Sequence, residues 1–287
     1  LVFYFIYRNA DQTDKIHAAI EKLASGETSY KVDVNDFSSL EAELAEGLNR
    51  ISDGLETALA EQVKSERLKA DLITNVSHDI KTPLTSIINY VDLIKRQHIE
   101  DPTVQKYLEV LDQKSQRLKT LTEDLVEASR ASSGNIKLEI TNIDFVELVQ
   151  QTTGEFEEKY AIRHLEIVNT LPNEVIMIEA DGRRLWRVLE NLYNNAFKYA
   201  LEGTRVYVTI EDHGADVVFT IKNVSANPLN ISPDELTERF VRGDVSRTTE
   251  GSGLGLSIAK DLTTLQGGKF ELIIDGDLFK AQITFPI

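Results

Sequence analysis

Asn75-Val-Ser-His-Asp-Ile-Lys-Thr-Pro-Leu84 places a histidine, the acid beside it and a threonine four residues on just ahead of a proline. Apolar residues flank the stretch at helical spacing, with Leu68, Leu72 and Val76 before it and Leu93 and Ile94 after it, so one long helix is predicted to run through it. Pro83 removes one backbone hydrogen bond and bends such a helix. The turn that holds His78 is therefore expected to be locally distorted and open to another domain. Asp79 stands next to the imidazole, and Thr82, one turn on, lies on the same side of the helix.

Working outward toward the N-terminus, Phe37, Leu40, Leu44, Leu48, Ile51, Leu55, Leu59 and Val63 continue the stripe three or four residues apart, as in a helix packed in a bundle. Before them come an extended stretch at 30–34 and a short amphipathic helix carrying Ile16, Ile20 and Leu23, which ends near Gly26. The first seven residues are all apolar or aromatic and are followed by Arg8. A bilayer crossing takes about 20 apolar residues, so residues 1–7 are expected to be the cytoplasmic end of a truncated membrane helix, with Tyr4, Tyr7 and Arg8 at the interface.

Toward the C-terminus, residues 97–101 read as a hairpin turn ahead of Pro102, and a second helix follows in which Leu111, Leu118 and Leu125 recur at sevens. The two helices carry more apolar surface than one pair can bury. Two copies would close a four-helix bundle, so a homodimer is expected. Residues 131–135, Ala-Ser-Ser-Gly-Asn, form the clearest linker. Beyond it, strand patterns at 205–210, 217–221 and 269–274 alternate with helical ones at 145–158, 184–200 and 255–265, which predicts a mixed sheet covered by helices. The chain is thus expected to be multidomain, with all-α helices and a dimeric bundle ahead of an α/β sandwich whose sheet is covered on one face.

The 47 acidic residues outnumber the 31 basic ones, for a net charge of −16. That balance repels a phosphate backbone and argues against nucleic-acid binding. There is no cysteine, which excludes disulfides and thiolate metal sites. His17, His98, His164 and His213 share no spacing with acids that suggests a metal site.

Residues 184–199 form an amphipathic helix in which Asn191, Asn195 and Lys198 share one face. An amide oxygen is a hard neutral ligand suited to Mg²⁺, and a lysine one turn away can neutralise a phosphate chain. Further on, Glu250-Gly-Ser-Gly-Leu-Gly-Leu-Ser-Ile-Ala259 puts three glycines ahead of a helix whose first amides are free to meet an anion. It is not a dinucleotide fingerprint, since Leu256 occupies the last required glycine, and no Gly-Lys-Ser/Thr of a P-loop occurs.

Together these segments resemble the sensor histidine kinases of two-component signalling, in the expected order from about residue 70 to the C-terminus. The resemblance implies that His78 accepts a phosphoryl group from ATP. Asp79 would act as general base or orienting partner, and Thr82 would position a water for dephosphorylating a partner. Asn195 would be the Mg²⁺ ligand, Asn191 and Lys198 polar partners of the phosphates, and Tyr199 a neighbour of the base. Gly251, Gly253 and Gly255 would let the backbone close on the phosphates, and Leu256 joins the nucleotide-binding residues. In Glu238-Arg-Phe-Val-Arg-Gly-Asp244, Phe240 would anchor a lid, while Arg242, and less directly Arg239, would meet charge developing on the transferred group.

One segment departs from the family. Where an Asp-x-Gly-x-Gly loop is usual, Ile221-Lys-Asn-Val-Ser-Ala-Asn-Pro228 has Asn223 in the place of the aspartate and neither glycine. An asparagine still offers a carbonyl acceptor. By the same resemblance residues 1–7 end a membrane helix, 8–62 form a HAMP-like relay, 63–131 form the dimerisation and phosphotransfer hairpin and 136–287 form the ATP-binding domain. ATP and Mg²⁺ are the implied cofactors, a response-regulator receiver domain the implied partner, and the cytoplasmic side of the cell membrane the implied location. The rival readings are a phosphatase-dominant or non-catalytic scaffold, and a stand-alone ATPase or chaperone that would need neither His78 nor Thr82.

Overall fold

A computed structural model of the chain describes residues 2–37, 39–97, 99, 101–134, 136–238 and 252–287. It divides into two compact units, Leu1–Lys69 and Ala70–Ile287. In the first unit, α1 (Val2–Ala24) stops ahead of Gly26, whose φ of +97° lies in the left-handed region that a Cβ disfavours. The connector then packs back on the helices. Ala19, Val32, Phe37 and Ala45 are buried together, with Ile16, Tyr30 and Leu48 against them. The stretch expected to be extended at 30–34 pairs with no strand among the described residues. Its backbone is met by side chains of α2 (Ser39–Lys95): Val32 N–H donates to Asn49 Oδ1 and Asn49 Nδ2 donates to Val32 O, both at 2.9 Å, while Ser52 donates to the Thr28 and Tyr30 carbonyls. Val34–Asp36 closes as a 3₁₀ turn capped by Asp33. The side chains of residues 1–7, expected at a membrane surface, lie outside the described ones. No described helix is long and apolar enough to cross a membrane.

In the second unit α2 runs on through Pro83 to Lys95, and α3 (Pro102–Ser132) returns. Asp101 caps α3, accepting from Thr103 N–H at 2.7 Å, and Pro102 fills the first turn, where its missing donor costs nothing. Ser77, Leu84 and Val91 on α2 and Leu108, Ser115 and Thr122 on α3 are buried, each set spaced by seven. Lys95 and Asp112 pair at 2.7 Å near the turn. The seam of the hairpin is therefore 108/115/122, and Leu111 and Leu118 of the expected 111/118/125 stripe remain 45% and 47% exposed.

Beyond α3 the chain builds a layer of helices on one sheet. The strands are β1 (Thr141–Asp144), β2 (Glu166–Thr170), β3 (Met177–Ala180), β4 (Arg205–Asp212), β5 (Asp216–Val224), β6 (Lys269–Asp275) and β7 (Leu278–Pro286). The helices are α4 (Phe145–Ala161), α5 (Gly182–Tyr199), the short α6 (Pro233–Thr237) and α7 (Gly255–Leu265). The main sheet has the order β2-β4-β5-β7-β6, parallel between β2 and β4 and antiparallel elsewhere, and β1 and β3 form a separate pair. Alternation sets the inward face: Val206, Val208 and Ile210 on β4, Val217, Phe219 and Ile221 on β5, and Ala281, Ile283 and Phe285 on β7 are all buried. Asn223 takes the next inward position of β5, opposite Val206 on one side and Phe279 on the other. β1, β2, β3 and β7 are additional to the strands read from the sequence.

Candidate functional site

The amphipathic pattern of 184–199 forms α5, which begins slightly earlier than expected because Asp181 caps it. The Asp181 carboxylate accepts from Arg183 N–H at 3.1 Å, Arg184 N–H at 3.2 Å and Glu139 N–H at 3.0 Å. Burial pushes its pKa up, and these backbone donors outweigh that and hold it below the usual carboxylate value. The helix is pinned on its apolar side by α4: Tyr160 Oη donates to Tyr193 O and Thr153 Oγ1 shares a hydrogen bond with Tyr193 Oη, both at 2.6 Å. Burial raises both tyrosine pKa values, so the phenols stay neutral.

The opposite side of α5 lines a cavity of about 500 Å³. Asn191, Asn195, Lys198 and Tyr199 contribute from α5, Asn223 from β5, and Gly253, Gly255 and Leu256 from the start of α7. Those eight expected nucleotide-binding residues meet in one place. Phe240, Gly251, Arg242 and Arg239 lie outside the described residues.

Two glycines shape the cavity wall. Gly253 has φ +71°, and a Cβ on Gly255 would stand 3.2 Å from Asn191 Oδ1. The backbone thus approaches the asparagine as closely as only glycine comfortably allows. Two buried polar atoms here have no hydrogen-bond partner: Asn191 Nδ2, a donor, and Asn223 Oδ1, an acceptor. Unpaired buried groups are costly, so the cavity has unmet capacity for a ligand carrying both acceptors and donors. A nucleotide carries both. The lysine, the amides and the glycine turn suit its phosphates, and Asn223 with Phe279 suits a base.

None of the described lining residues comes from α2. His78 and Asp79 stand out in solvent there, with side chains 80% and 85% exposed and Nδ1···Oδ1 at 3.5 Å, the edge of hydrogen bonding. Thr82 Oγ1 donates to the His78 carbonyl at 3.4 Å.

The order of these parts along the chain matches two known domain families. Residues 68–134 match the His Kinase A (phospho-acceptor) domain, and residues 180–285 match the histidine kinase-, DNA gyrase B- and HSP90-like ATPase. The chain belongs to the sensor histidine kinases. Among the curated members of the family it is 29% identical over 257 residues to sensor histidine kinase MtrB of Mycobacterium tuberculosis, covering 88% of this chain and 44% of that one. It is 31% identical over 229 residues to sensor protein VanS of Enterococcus faecium, covering 77% and 58%. The chain thus spans about half the length of these histidine kinases. Full-length ShkA in complex with AMPPNP has the same fold, with a TM-score of 0.65 at 23% identity over 75% of this chain and 45% of that one. So does histidine kinase ThkA in complex with response regulator protein TrrA, with a TM-score of 0.53 at 24% identity over 80% and 66%.

In this histidine kinase the cavity has a further wall that the sequence pattern did not bring out. Asp124 and Thr120 of α3 line it together with Arg187, Glu190 and Ser252. Arg187 pairs with Asp124, Glu127 and Glu190, and Arg184 pairs with Glu127 at 3.0 Å. Burial lowers the Arg187 pKa, but the hydrogen bonds and charges of Glu190 and Glu127 raise it further, so it stays protonated. The signal was available as spacing: acids at 124 and 127 on one helix, arginines at 184 and 187 on another, each pair three apart. Beside the cavity, Lys159 Nζ donates to Asn194 Oδ1 at 2.6 Å, and burial, opposed by Glu190, lowers its pKa.

Proposed function

We propose that the chain is the signalling and catalytic portion of a membrane sensor kinase that phosphorylates itself on His78 and passes the phosphoryl group to an aspartate of a response regulator. The carrying observation is the cavity that joins the α5 amides to the glycine turn of α7, with two unpaired buried polar atoms in its wall, in the same unit as a solvent-exposed His78.

In the proposed reaction, neutral His78 attacks with Nε2 while Nδ1, which faces Asp79, keeps its proton. A phosphorus–nitrogen bond forms, the bond between the β- and γ-phosphoryl groups breaks, and ADP departs. Lys198 and the amides at the start of α7 hold the phosphates, Tyr199 and Phe279 flank the base, and Arg242 meets the charge that develops on the transferred group. The Asn195 amide oxygen is our choice of ligand for Mg²⁺, which when bound supplies charge neutralisation to the phosphate chain. Because no described lining residue comes from α2, His78 must meet the nucleotide through movement of the ATP-binding part or from a second subunit.

The apolar residues left on the hairpin support a homodimer: Leu72, Val76, Ile87 and Leu93 on α2 and Leu111 and Leu118 on α3 are 45–66% exposed, more than a lone hairpin leaves to water without a partner. Residues 8–62 form the HAMP-like relay, and the membrane attachment lies toward the N-terminus. Thr82 serves a phosphatase reaction on the regulator.

Incubation with γ-labelled ATP and Mg²⁺ tests the reading. Acid-labile, base-stable label is expected on the wild type, lost in both His78→Gln and Asn195→Asp. No label despite bound ATP would instead favour a phosphatase-dominant sensor, the second reading that the uncharged Asn223 supports.

A further inference from the structure

Asn223 is a polar residue at an inward position of the sheet, 2% exposed, with Phe279 as its register partner on β7 and within the same cavity lining. Its Oδ1 has no partner, while its Nδ2 donates to the Val224 carbonyl at 3.2 Å. In that orientation the amide offers an acceptor, which the exocyclic amino group of a 6-aminopurine satisfies.

An amide, unlike a carboxylate, can present either sign of hydrogen bond. Its last torsion is broad and roughly two-fold, and a half-turn puts Nδ2 where Oδ1 was, offering a donor to a 6-oxo group. What holds the first orientation is a long bond, and the Val224 carbonyl does not depend on it, because Leu201 N–H donates to the same oxygen at 2.8 Å. The half-turn therefore orphans no backbone group; its cost is one weak bond and two oxygens brought face to face.

The rest of the lining on this side does not restore a preference. Ser225, Asn227 and Asn230, which follow β5 into the cavity wall, are neutral, and the Ser225 hydroxyl, an acceptor for Asn227 N–H at 3.3 Å, keeps a proton it can direct either way. The lining carboxylates are engaged elsewhere: Asp124 and Glu190 on Arg187, and Glu235 on Ser232 N–H. Among the described residues, no fixed negative charge stands where a 6-oxo group would arrive.

We propose, resting on the ATP-binding reading above, that this site accepts 6-oxopurine nucleoside triphosphates alongside 6-aminopurine ones, with Asn223 turning its amide to match the base.

The test is a binding titration of the whole chain with ATP and with ITP, which differ in the 6-substituent of the purine and in the proton that the 6-oxopurine carries on N1, for the wild type and for Asn223→Asp. The wild-type Kd for ITP is expected within about thirtyfold of that for ATP, since the half-turn forfeits one weak bond and sets Oδ1 against the Val224 carbonyl. In Asn223→Asp the ITP-to-ATP ratio is expected to rise at least about tenfold further, because a carboxylate has no donor to offer. A larger wild-type ratio with ATP binding intact, or an unchanged ratio in the variant, overturns the proposal. Should the variant fail to fold, the wild-type ratio decides alone. Absence of ATP binding in the wild type would overturn the parent reading as well, so the two failures are distinct.

Discussion

Ser252, in the glycine turn before α7, donates a hydrogen bond of 2.9 Å to Asp124 Oδ2 on α3, 128 positions earlier in the chain. The other oxygen of Asp124 holds Arg187. The end of the α2–α3 hairpin is thus tied to the wall of the cavity through one carboxylate.

Removing the centre of that network should cost most. Arg187 is 22% exposed and serves Asp124, Glu127 and Glu190, so Arg187→Ala leaves three carboxylates to face one another. A loss of about 3 kcal/mol is expected. Asp124→Ala and Glu127→Ala, which leave the arginine other partners, should each cost about 1 kcal/mol. Thermal unfolding of the three variants gives the order, and equal losses would contradict it.

Gly255→Ala puts a methyl group 3.2 Å from Asn191 Oδ1, tighter than an ordinary contact, so Asn191 must shift. Overpacking by one methyl in a built wall costs roughly 1–3 kcal/mol. Because the strain falls on the site, nucleotide affinity should drop about tenfold and the melting temperature should fall by several degrees, as paired titration and unfolding curves would show.

The Asp181 carboxyl has a folded-state pKa below its ordinary value. Its contribution is complete above the unfolded value of about 4 and is lost as pH falls through that value toward the lower folded one. Asp181→Asn keeps one oxygen for the cap but sets its Nδ2 against Glu139 N–H, so it should be less stable by about 1 kcal/mol at neutral pH, and its deficit should shrink below about pH 4. Melting temperatures between about pH 3 and pH 7 check the sign; a deficit that grows in acid would refute it.

Leu111 and Leu118 lie outside the buried seam of the hairpin. Replacing both with glutamate should leave the fold of the monomer intact and convert the proposed dimer to monomer, since burying the added charges of both subunits across a two-fold bundle is unfavourable by several kcal/mol. Sedimentation of wild type and variant measures this directly.

The elements with sustained period are legible in the sequence alone. The long helices follow from apolar stripes, β5 from its run of alternating Val, Phe and Ile, and α7 over its whole length from the glycines ahead of it. β1 and β3 are not, since four residues carry too little pattern to register, and the edge strand β2 has an exposure pattern with no clean alternation. β7 does carry a signal, with Phe279, Ala281, Ile283 and Phe285 alternating, as does the capping box of Ser232 and Glu235 that starts α6.

By itself the sequence determined the helical hairpin, the α/β class and the residue types of the site, because those depend on local periodicity and side-chain chemistry. Only the tertiary structure decided which stripe of α3 the hairpin buries, that Asp124 and Glu127 reach Arg187, and that Asn223 Oδ1 and Asn191 Nδ2 are sealed from water without partners. Those facts depend on pairings between residues tens to more than a hundred positions apart. Such pairings are set by sheet register and helix packing, which no local pattern encodes.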